Sequence, residues 1–133
     1  MDKVVERLVR DRALGLCEYC KMPESVYGEI FQIDHVISRQ HGGPTVAGNL
    51  ALCCPHCNLH KGPNLSGIDP VSGNIVPLFN PRLQRWEEHF FLSGPRLEGH
   101  TPEARAAISV LVLNDVAMLE VRAELISLGM FRM

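Results

Sequence analysis

The stretch of sequence that decides the fold reads C-C-P-H-C-N-L-H-K-G (residues 53–62), and its partner reads C-E-Y-C (residues 17–20). Each stretch contains a C-x-x-C pair, in which a tight turn lets two thiolates reach one ion at about 2.3 Å. The spacing therefore predicts a structural zinc site with four thiolate ligands, namely Cys17, Cys20, Cys54 and Cys57. Four thiolates leave no open position for water, so a catalytic zinc ion is not expected.

Two redox-active C-x-x-C pairs are the alternative interpretation of the same cysteines. Neither pair lies in the βαβ pattern typical of thioredoxin-like proteins, so we favour structural zinc. The fifth cysteine, Cys53, does not fit this spacing, because three residues separate it from Cys57. We expect Cys53 to be a small, buried apolar residue on a strand.

The length and composition predict one globular domain spanning residues 1–133. The chain is 46% apolar and 21% charged, which is typical of a folded protein and argues against extensive disorder. No apolar run approaches the roughly 20 residues that a membrane helix needs. The start, M-D-K-V, lacks the layout of a secretory signal. We therefore expect a soluble, cytoplasmic protein with no membrane partner.

The middle of the chain is predicted to fold as strand, loop, strand and helix. Residues 29–36 are predicted to form a strand, with Ile30, Gln32 and Asp34 on one face and Phe31, Ile33 and His35 on the other. A glycine-rich loop over 38–48 leads to a short apolar strand over 49–53. The helix over 55–61 has proline in its first turn and ends at Gly62.

A helix is predicted on the N-terminal side of this unit, over residues 2–14, with Gly15 ending it before the first cysteine pair. Its apolar face is expected to comprise Val5, Leu8, Val9 and Ala13.

A mostly helical extension is predicted over residues 64–133. Turns are expected over 64–81, with a strand over 75–79, while 82–92 is compatible with either helix or strand. Two helices should follow, over 101–113 and from Asn114 or Asp115 to Gly129, the second with Met118, Val121, Leu125 and Leu128 on one face. We expect core or interface packing from the aromatic residues Trp86, Phe90 and Phe91.

Polar residues that can carry chemistry lie on the same central elements. Asp34 and His35 end the first strand, Asn49 begins the second, and Asn58 follows Cys57. The oxygens of Asp34 and Asn58 are hard ligands that suit Mg²⁺ or a similar ion. His35 beside that ion can accept a proton from a water attacking phosphorus, with Asn49 holding its other ring nitrogen. The set predicts metal-assisted phosphodiester hydrolysis.

The stretch from Cys17 to Gly62 resembles the HNH endonuclease family. The resemblance rests on ordered motifs, which read C-E-Y-C, I-D-H-V, H-G-G-P, N-L-A-L and C-C-P-H-C-N-L-H-K-G. It is most similar to the zinc-containing bacterial branch that includes the McrA-like restriction enzymes. The resemblance implies an α+β fold, with a treble-clef-like ββα-metal finger as nuclease core over 14–63. It also implies cleavage of DNA with one divalent ion, Mg²⁺ or Mn²⁺.

The resemblance assigns roles to individual residues. Asp34 matches the acidic metal ligand, His35 the general base and Asn49 the residue that orients the base. Asn58 matches the last motif position, which is His in some members, so the preferred ion stays open. Basic residues expected to contact phosphate are Arg39, His41 and Lys61, the last on the same helical face as Asn58. His56 and His60 are expected to point away from the metal.

Two functions are compatible with these features. The first is a metal-dependent DNA endonuclease, and the second is a non-catalytic zinc-finger module that binds nucleic acid or a protein partner. The second explains the four cysteines equally well, but it does not explain Asp34, His35 and Asn58 at this spacing. The C-terminal helices could pack on the core, form a homodimer or bind a partner.

The net charge of −2 is unusual for a protein that handles a polyanion. However, no Asp or Glu occurs between Asp34 and Asp69, and that segment contains Arg39, Lys61 and four of the six histidines. Attraction for phosphate is therefore expected to be local, and non-specific DNA binding is expected to be weak.

Overall fold

The computed structural model describes residues 1–131 as an α+β fold of short helices and three small sheets. In chain order the elements are α1 (Lys3–Ala13), α2 (Glu24–Tyr27), β1 (Gln32–His35), β2 (Leu50–Cys53), α3 (Pro55–Lys61), β3 (Ser66–Ile68), β4 (Ile75–Pro77), α4 (Trp86–His89), β5 (Phe90–Ser93), β6 (Arg96–Gly99), α5 (Pro102–Val110) and α6 (Val116–Ser127). No helix within this part of the chain combines the length and apolar character that crossing a membrane requires.

The central unit is the antiparallel pair β1–β2 followed by α3, as predicted. Asp34 lies opposite Ala51 and His35 opposite Leu50. The side chain of Cys54 caps α3 by accepting from the backbone N–H of Cys57, and proline occupies the first turn. Three cysteines at the junction of β2 and α3 are buried, namely Cys53, Cys54 and Cys57. The second cysteine pair therefore lies in the core rather than at the surface.

β1 is shorter than the predicted strand, because the backbone of Phe31 is bound by side chains. The Phe31 N–H donates to Glu24 at 2.7 Å, and its carbonyl accepts from Arg10 at 3.0 Å. These bonds replace those that a longer ladder with β2 would supply. Tertiary partners therefore set the start of the strand.

α1 begins and ends close to its predicted limits, with Asp2 accepting from the Val4 N–H at 2.7 Å. Its buried face is narrower than the periodicity indicated. Val9 and Ala13 are buried, whereas Leu8 is 50% exposed. The helix touches the core along only one edge, where it packs on β2.

The extension contains two β-hairpins as well as helices, so it is less helical than predicted. β3 pairs with β4 and β5 with β6, both antiparallel. Strands of three or four residues are too short for alternation to reveal them. α5 ends at Val110, before the predicted Leu113, because Val112 adopts a left-handed conformation with φ of 50°.

The packing face of α6 differs from the predicted one. Met118, Arg122 and Leu125 are buried, while Val121 and Leu128 are 36% and 60% exposed. The guanidinium of Arg122 donates to the carbonyls of Leu113, at 2.7 Å, and Pro95, at 2.8 Å. A charged residue on the apolar side of a helix is hidden from hydropathy patterns, since its partners are backbone atoms distant in sequence.

One cluster of buried side chains joins the central unit to the extension. It includes the cysteines and Phe31 together with extension residues such as Phe90 and Leu97. Trp86 is 3% exposed, and its indole N–H donates to the carbonyl of Tyr19 at 2.9 Å. The extension therefore packs directly on the C-E-Y-C turn.

Candidate zinc site and active site

The four cysteines of the two C-x-x-C pairs lie together, as predicted. Their Sγ atoms are all within 4.8 Å of one another, all four residues are buried, and none forms a disulfide: Cys17, Cys20, Cys54 and Cys57. The Sγ atoms of Cys20 and Cys54 are 3.8 Å apart. Two thiolates bonded tetrahedrally to zinc at 2.3 Å would be about 3.8 Å apart, so the donor set fits Zn²⁺.

Within this cluster the structure favours a thiolate at Cys17, since hydrogen bonds with Cys17 raise the pKa of the Cys20 and Cys57 thiols well above the usual range. Burial alone would raise the pKa of the Cys17 thiol, but hydrogen bonds from neighbouring thiols hold that pKa well below its usual range. The hydroxyl of Tyr27 lies 3.9 Å from the Cys54 Sγ. Cys53 is buried on β2 outside the cluster, with its thiol directed at the Cys54 carbonyl at 3.6 Å.

The carboxylate of Asp34 is held by one of its two oxygens. Oδ2 accepts from the Tyr19 hydroxyl at 2.8 Å and lies 3.0 Å from the ammonium of Lys61. Burial, followed by the charge of Asp34, raises the pKa of Tyr19 well above its usual range, so Tyr19 is a neutral donor. Oδ1 receives no hydrogen bond from residues 1–131, and the Asp34 side chain is 11% exposed.

Lys61 is not placed where the sequence suggested. It is only 2% exposed, and its ammonium donates to the His35 carbonyl at 3.1 Å besides pairing with Asp34. The long side chain reaches back from the last turn of α3 across β1 instead of extending to solvent. In this arrangement it is an internal partner of β1, and the surface phosphate contact predicted for it is not what the geometry shows.

His35 follows Asp34 at the end of β1 and is partly exposed. Its Nε2 lies 2.8 Å from the Thr45 hydroxyl, which orients the ring. Thr45 was missed by the sequence reasoning, since a single threonine in a polar loop carries no signal of its own.

Asn49 does not hold the imidazole ring directly, contrary to our expectation. Its side chain is buried, and its oxygen accepts from the Ile37 N–H at 2.9 Å. Its amide group donates to the carbonyls of Ile37 and Pro44, both at 2.9 Å. The Asn49 side chain thus binds the loop that follows His35, and it affects the orientation of the His35 ring only through the backbone.

Gly43 is required by the same loop. A Cβ atom at this position would lie 1.7 Å from the Ile37 carbonyl oxygen and 2.9 Å from the Asn49 amide nitrogen. The close approach of the two backbone segments is what allows Asn49 to bridge them.

The remaining predicted residues are near the surface. Asn58 is exposed at the middle of α3, and its side chain makes no hydrogen bond with residues 1–131. Arg39 and His41 are exposed on the short turn Arg39–His41. His56 faces the extension, with Nε2 2.8 Å from the Leu111 carbonyl oxygen, and its ring centroid lies 4.4 Å from that of His60, with the two ring planes tilted by 48°.

These residues can offer a hard divalent ion two oxygen ligands. α3, which carries Asn58, packs against β1, which carries Asp34. The unbonded oxygen of Asp34 and the unbonded amide of Asn58 fit the preference of Mg²⁺ and Mn²⁺ for oxygen donors with water completing the sphere.

Residues 17–64 match the family model described as HNH endonuclease. The match begins at the first cysteine pair, contains β1, β2 and α3, and ends just beyond Lys61. No curated protein and no solved structure matches the chain significantly. The family match and the ββα arrangement with its four-cysteine cluster agree, and residues 17–64 of this chain are an HNH endonuclease domain.

Proposed function

We propose that the protein is a metal-dependent endonuclease that hydrolyses DNA phosphodiester bonds. The observation that carries this proposal lies at the end of β1, within the segment that matches the family. There one oxygen of Asp34 has no hydrogen-bond partner among residues 1–131, and the adjoining His35 is partly exposed with its ring oriented by Thr45. A binding module has no need of such a pair.

Two metal sites follow from the donor sets. The four clustered cysteines would hold Zn²⁺ as a structural ion, and Asp34 with Asn58 would hold Mg²⁺, Mn²⁺ or a similar ion. Bound by Asp34 and Asn58, such an ion would supply polarisation of the phosphodiester and stabilisation of the charge on the leaving oxygen.

His35 is the general base in this proposal. The imidazole accepts a proton from water as the water oxygen bonds to phosphorus. The bond from phosphorus to the leaving sugar oxygen breaks, and that oxygen keeps the electron pair and takes a proton from solvent. In the tautomer whose Nε2–H donates to Thr45, the nitrogen that accepts the proton is Nδ1.

The DNA backbone is expected to meet the exposed turn that carries Arg39 and His41. No acidic side chain occurs between Asp34 and Asp69 in the sequence, so this segment adds no negative charge that would repel phosphate. With a net charge of −2, the attraction is local, and affinity for DNA of arbitrary sequence should be weak at physiological salt.

The test is cleavage of supercoiled, linear, single-stranded and methylated DNA by the parent and by His35→Ala, in Mg²⁺ or Mn²⁺. We expect His35→Ala to lower the rate by at least about 100-fold, because proton transfer to the base is lost. His100→Ala is the matched control, since His100 is exposed and stacks on Phe91 in the extension. Zinc content and thermal unfolding should stay unchanged in both. Cleavage by His35→Ala at the parental rate would refute the proposal.

A non-catalytic zinc-finger module is the second candidate, because the cysteine cluster alone supports it equally. Calorimetric titration of Mg²⁺ or Mn²⁺ into zinc-loaded protein, with and without DNA, separates the two. A second metal site supports the nuclease, and its absence under both conditions supports the binding module.

A further inference from the structure

We infer that Tyr19 is a positioning residue, which together with Lys61 holds one oxygen of Asp34 so that the other oxygen is presented to the divalent ion. This inference rests on the proposed function, because it concerns the proposed ion ligand. It adds a role for a residue that the sequence reasoning treated only as part of a cysteine motif.

Both contacts fall on the same oxygen. The Tyr19 hydroxyl donates to Oδ2 of Asp34 at 2.8 Å, and the Lys61 ammonium lies 3.0 Å from that atom. The terminal torsion of an aspartate is broad, so an unrestrained carboxylate would sample many orientations. Two donors on Oδ2 select one orientation and leave Oδ1 without a hydrogen-bond partner in the described part of the chain.

Tyr19 delivers its hydroxyl from a rigid segment, since it lies between two of the clustered cysteines. The neighbouring Glu18 N–H donates to the Leu52 carbonyl at 2.9 Å, and the Glu18 carboxylate accepts from the Leu52 N–H at 2.8 Å. Trp86 binds the carbonyl of Tyr19 itself. Tyr19 is 1% exposed, so its ring has no freedom to leave this position.

The two donors differ in what they do to a cation. The charge of Lys61 partly neutralises Asp34 and opposes a nearby cation, whereas the neutral hydroxyl of Tyr19 orients the carboxylate without that opposition. Removal of the Tyr19 hydroxyl therefore tests the orientation of the Asp34 carboxylate separately from the effect of charge. The structural zinc site and the proposed catalytic ion are linked through this one side chain, because Tyr19 belongs to the first cysteine pair and touches Asp34.

The test is Tyr19→Phe, which keeps the ring and removes only the hydroxyl. Mn²⁺ is titrated by calorimetry into zinc-loaded, DNA-free protein, and we expect about tenfold weaker binding, as is typical when an outer-shell hydrogen bond to a metal ligand is lost. In cleavage assays, the Mn²⁺ concentration for half-maximal rate should rise by a similar factor. Zinc content and the midpoint of thermal unfolding should match those of the parent.

Tyr27→Phe is the matched control, because it removes a hydroxyl that contacts Cys54 of the cysteine cluster and Met118 instead of Asp34. Its Mn²⁺ affinity should equal that of the parent. If Tyr27→Phe weakens Mn²⁺ binding as much as Tyr19→Phe, the effect passes through the zinc site and the inference is overturned. Equal Mn²⁺ affinity in Tyr19→Phe and the parent also overturns the inference. In that case, DNA cleavage by the parent protein still supports the proposed function.

A second measurement serves if Tyr19→Phe does not fold. The chain has two tyrosines, so Tyr27→Phe protein made with 3-fluorotyrosine carries a single fluorine label at Tyr19. Saturating Mg²⁺ should shift its ¹⁹F resonance, and an unmoved resonance at saturation overturns the inference. A parent that binds Mn²⁺ without cleaving DNA refutes the nuclease and leaves the inference standing. A parent without a divalent site refutes both.

Discussion

At Gly43 the backbone passes so close to Ile37 that no side chain fits. The distance of 1.7 Å from a built Cβ to the Ile37 carbonyl oxygen is far inside van der Waals contact, and the neighbour is backbone, which cannot rotate away. The second glycine of H-G-G-P therefore allows the loop that follows His35 and contains Thr45 to close on Ile37.

Gly43→Ala should separate the backbone segments that Asn49 bridges. We expect a loss of about 3 kcal/mol or more in the free energy of unfolding, measured by chemical denaturation, together with loss of cleavage. Gly48→Ala is the matched control, since nothing lies within 4 Å of its Cβ and its φ is not positive. A Gly43→Ala protein as stable as Gly48→Ala would contradict the steric argument.

At the scale of elements, the turn between β3 and β4 is bound to α5 by one ion pair. Both oxygens of the buried Asp69 accept from Arg105, at 2.8 and 2.9 Å, and also from the N–H groups of Val71 and Ser72. The hydrogen bonds from Arg105 hold the pKa of Asp69 well below its usual range, with the backbone donors adding to the effect.

Asp69→Asn should lower stability in a pH-dependent way. The lowered pKa means that the pair stabilises the fold above the ordinary carboxyl pKa of about 3.9 and loses this contribution as pH falls through the folded-state value. The stability deficit of Asp69→Asn should therefore be full at pH 7 and shrink below about pH 4. Because acid also releases zinc, denaturation curves of variant and parent are compared at each pH, with the exposed Glu88→Gln as control. A deficit that is constant with pH would contradict this account.

The junction of β2 and α3 depends on the four-cysteine cluster. Zinc binding contributes about 10–16 kcal/mol in finger peptides, which is comparable with the 5–15 kcal/mol stability of a whole domain. Cys57→Ser should therefore yield misfolded or insoluble protein without zinc, as measured by solubility and metal analysis. Cys53→Ala, at the end of β2 and outside the four-cysteine cluster, should keep its zinc. A soluble, fully active Cys57→Ser protein would be incompatible with the prediction.

At the scale of the whole molecule, the extension completes the core of the HNH domain. Trp86 packs flat on Phe90 with ring centroids 4.8 Å apart, and its N–H binds the carbonyl of Tyr19. The side chains of Arg82 and Glu18 also pair across the same boundary. The homodimer expected through the C-terminal helices stays a prediction, as does the McrA-like branch.

Trp86→Ala should destabilise the protein by about 3–5 kcal/mol, the usual cost of truncating a buried aromatic residue. Because Trp86 touches the first cysteine pair, zinc should also be lost faster to a chelator. Phe91→Ala is the control, since Phe91 is 36% exposed, and it should cost less than about 1 kcal/mol. If a chelator removed zinc from Trp86→Ala at the same rate as from the parent, the extension would not support the zinc site.

The sequence by itself determined the central unit, because its signals are local. Cysteine spacing, a proline in the first helical turn, and strand alternation each act over a few residues, so the ββα order and the ligand cluster could be predicted. Only the tertiary structure decided what each polar group touches. Lys61 turns inward to Asp34, Asn49 binds backbone, and Tyr19 reaches Asp34. These contacts span 12 to 27 residues of sequence, and packing selects among side-chain directions that local propensity leaves equal.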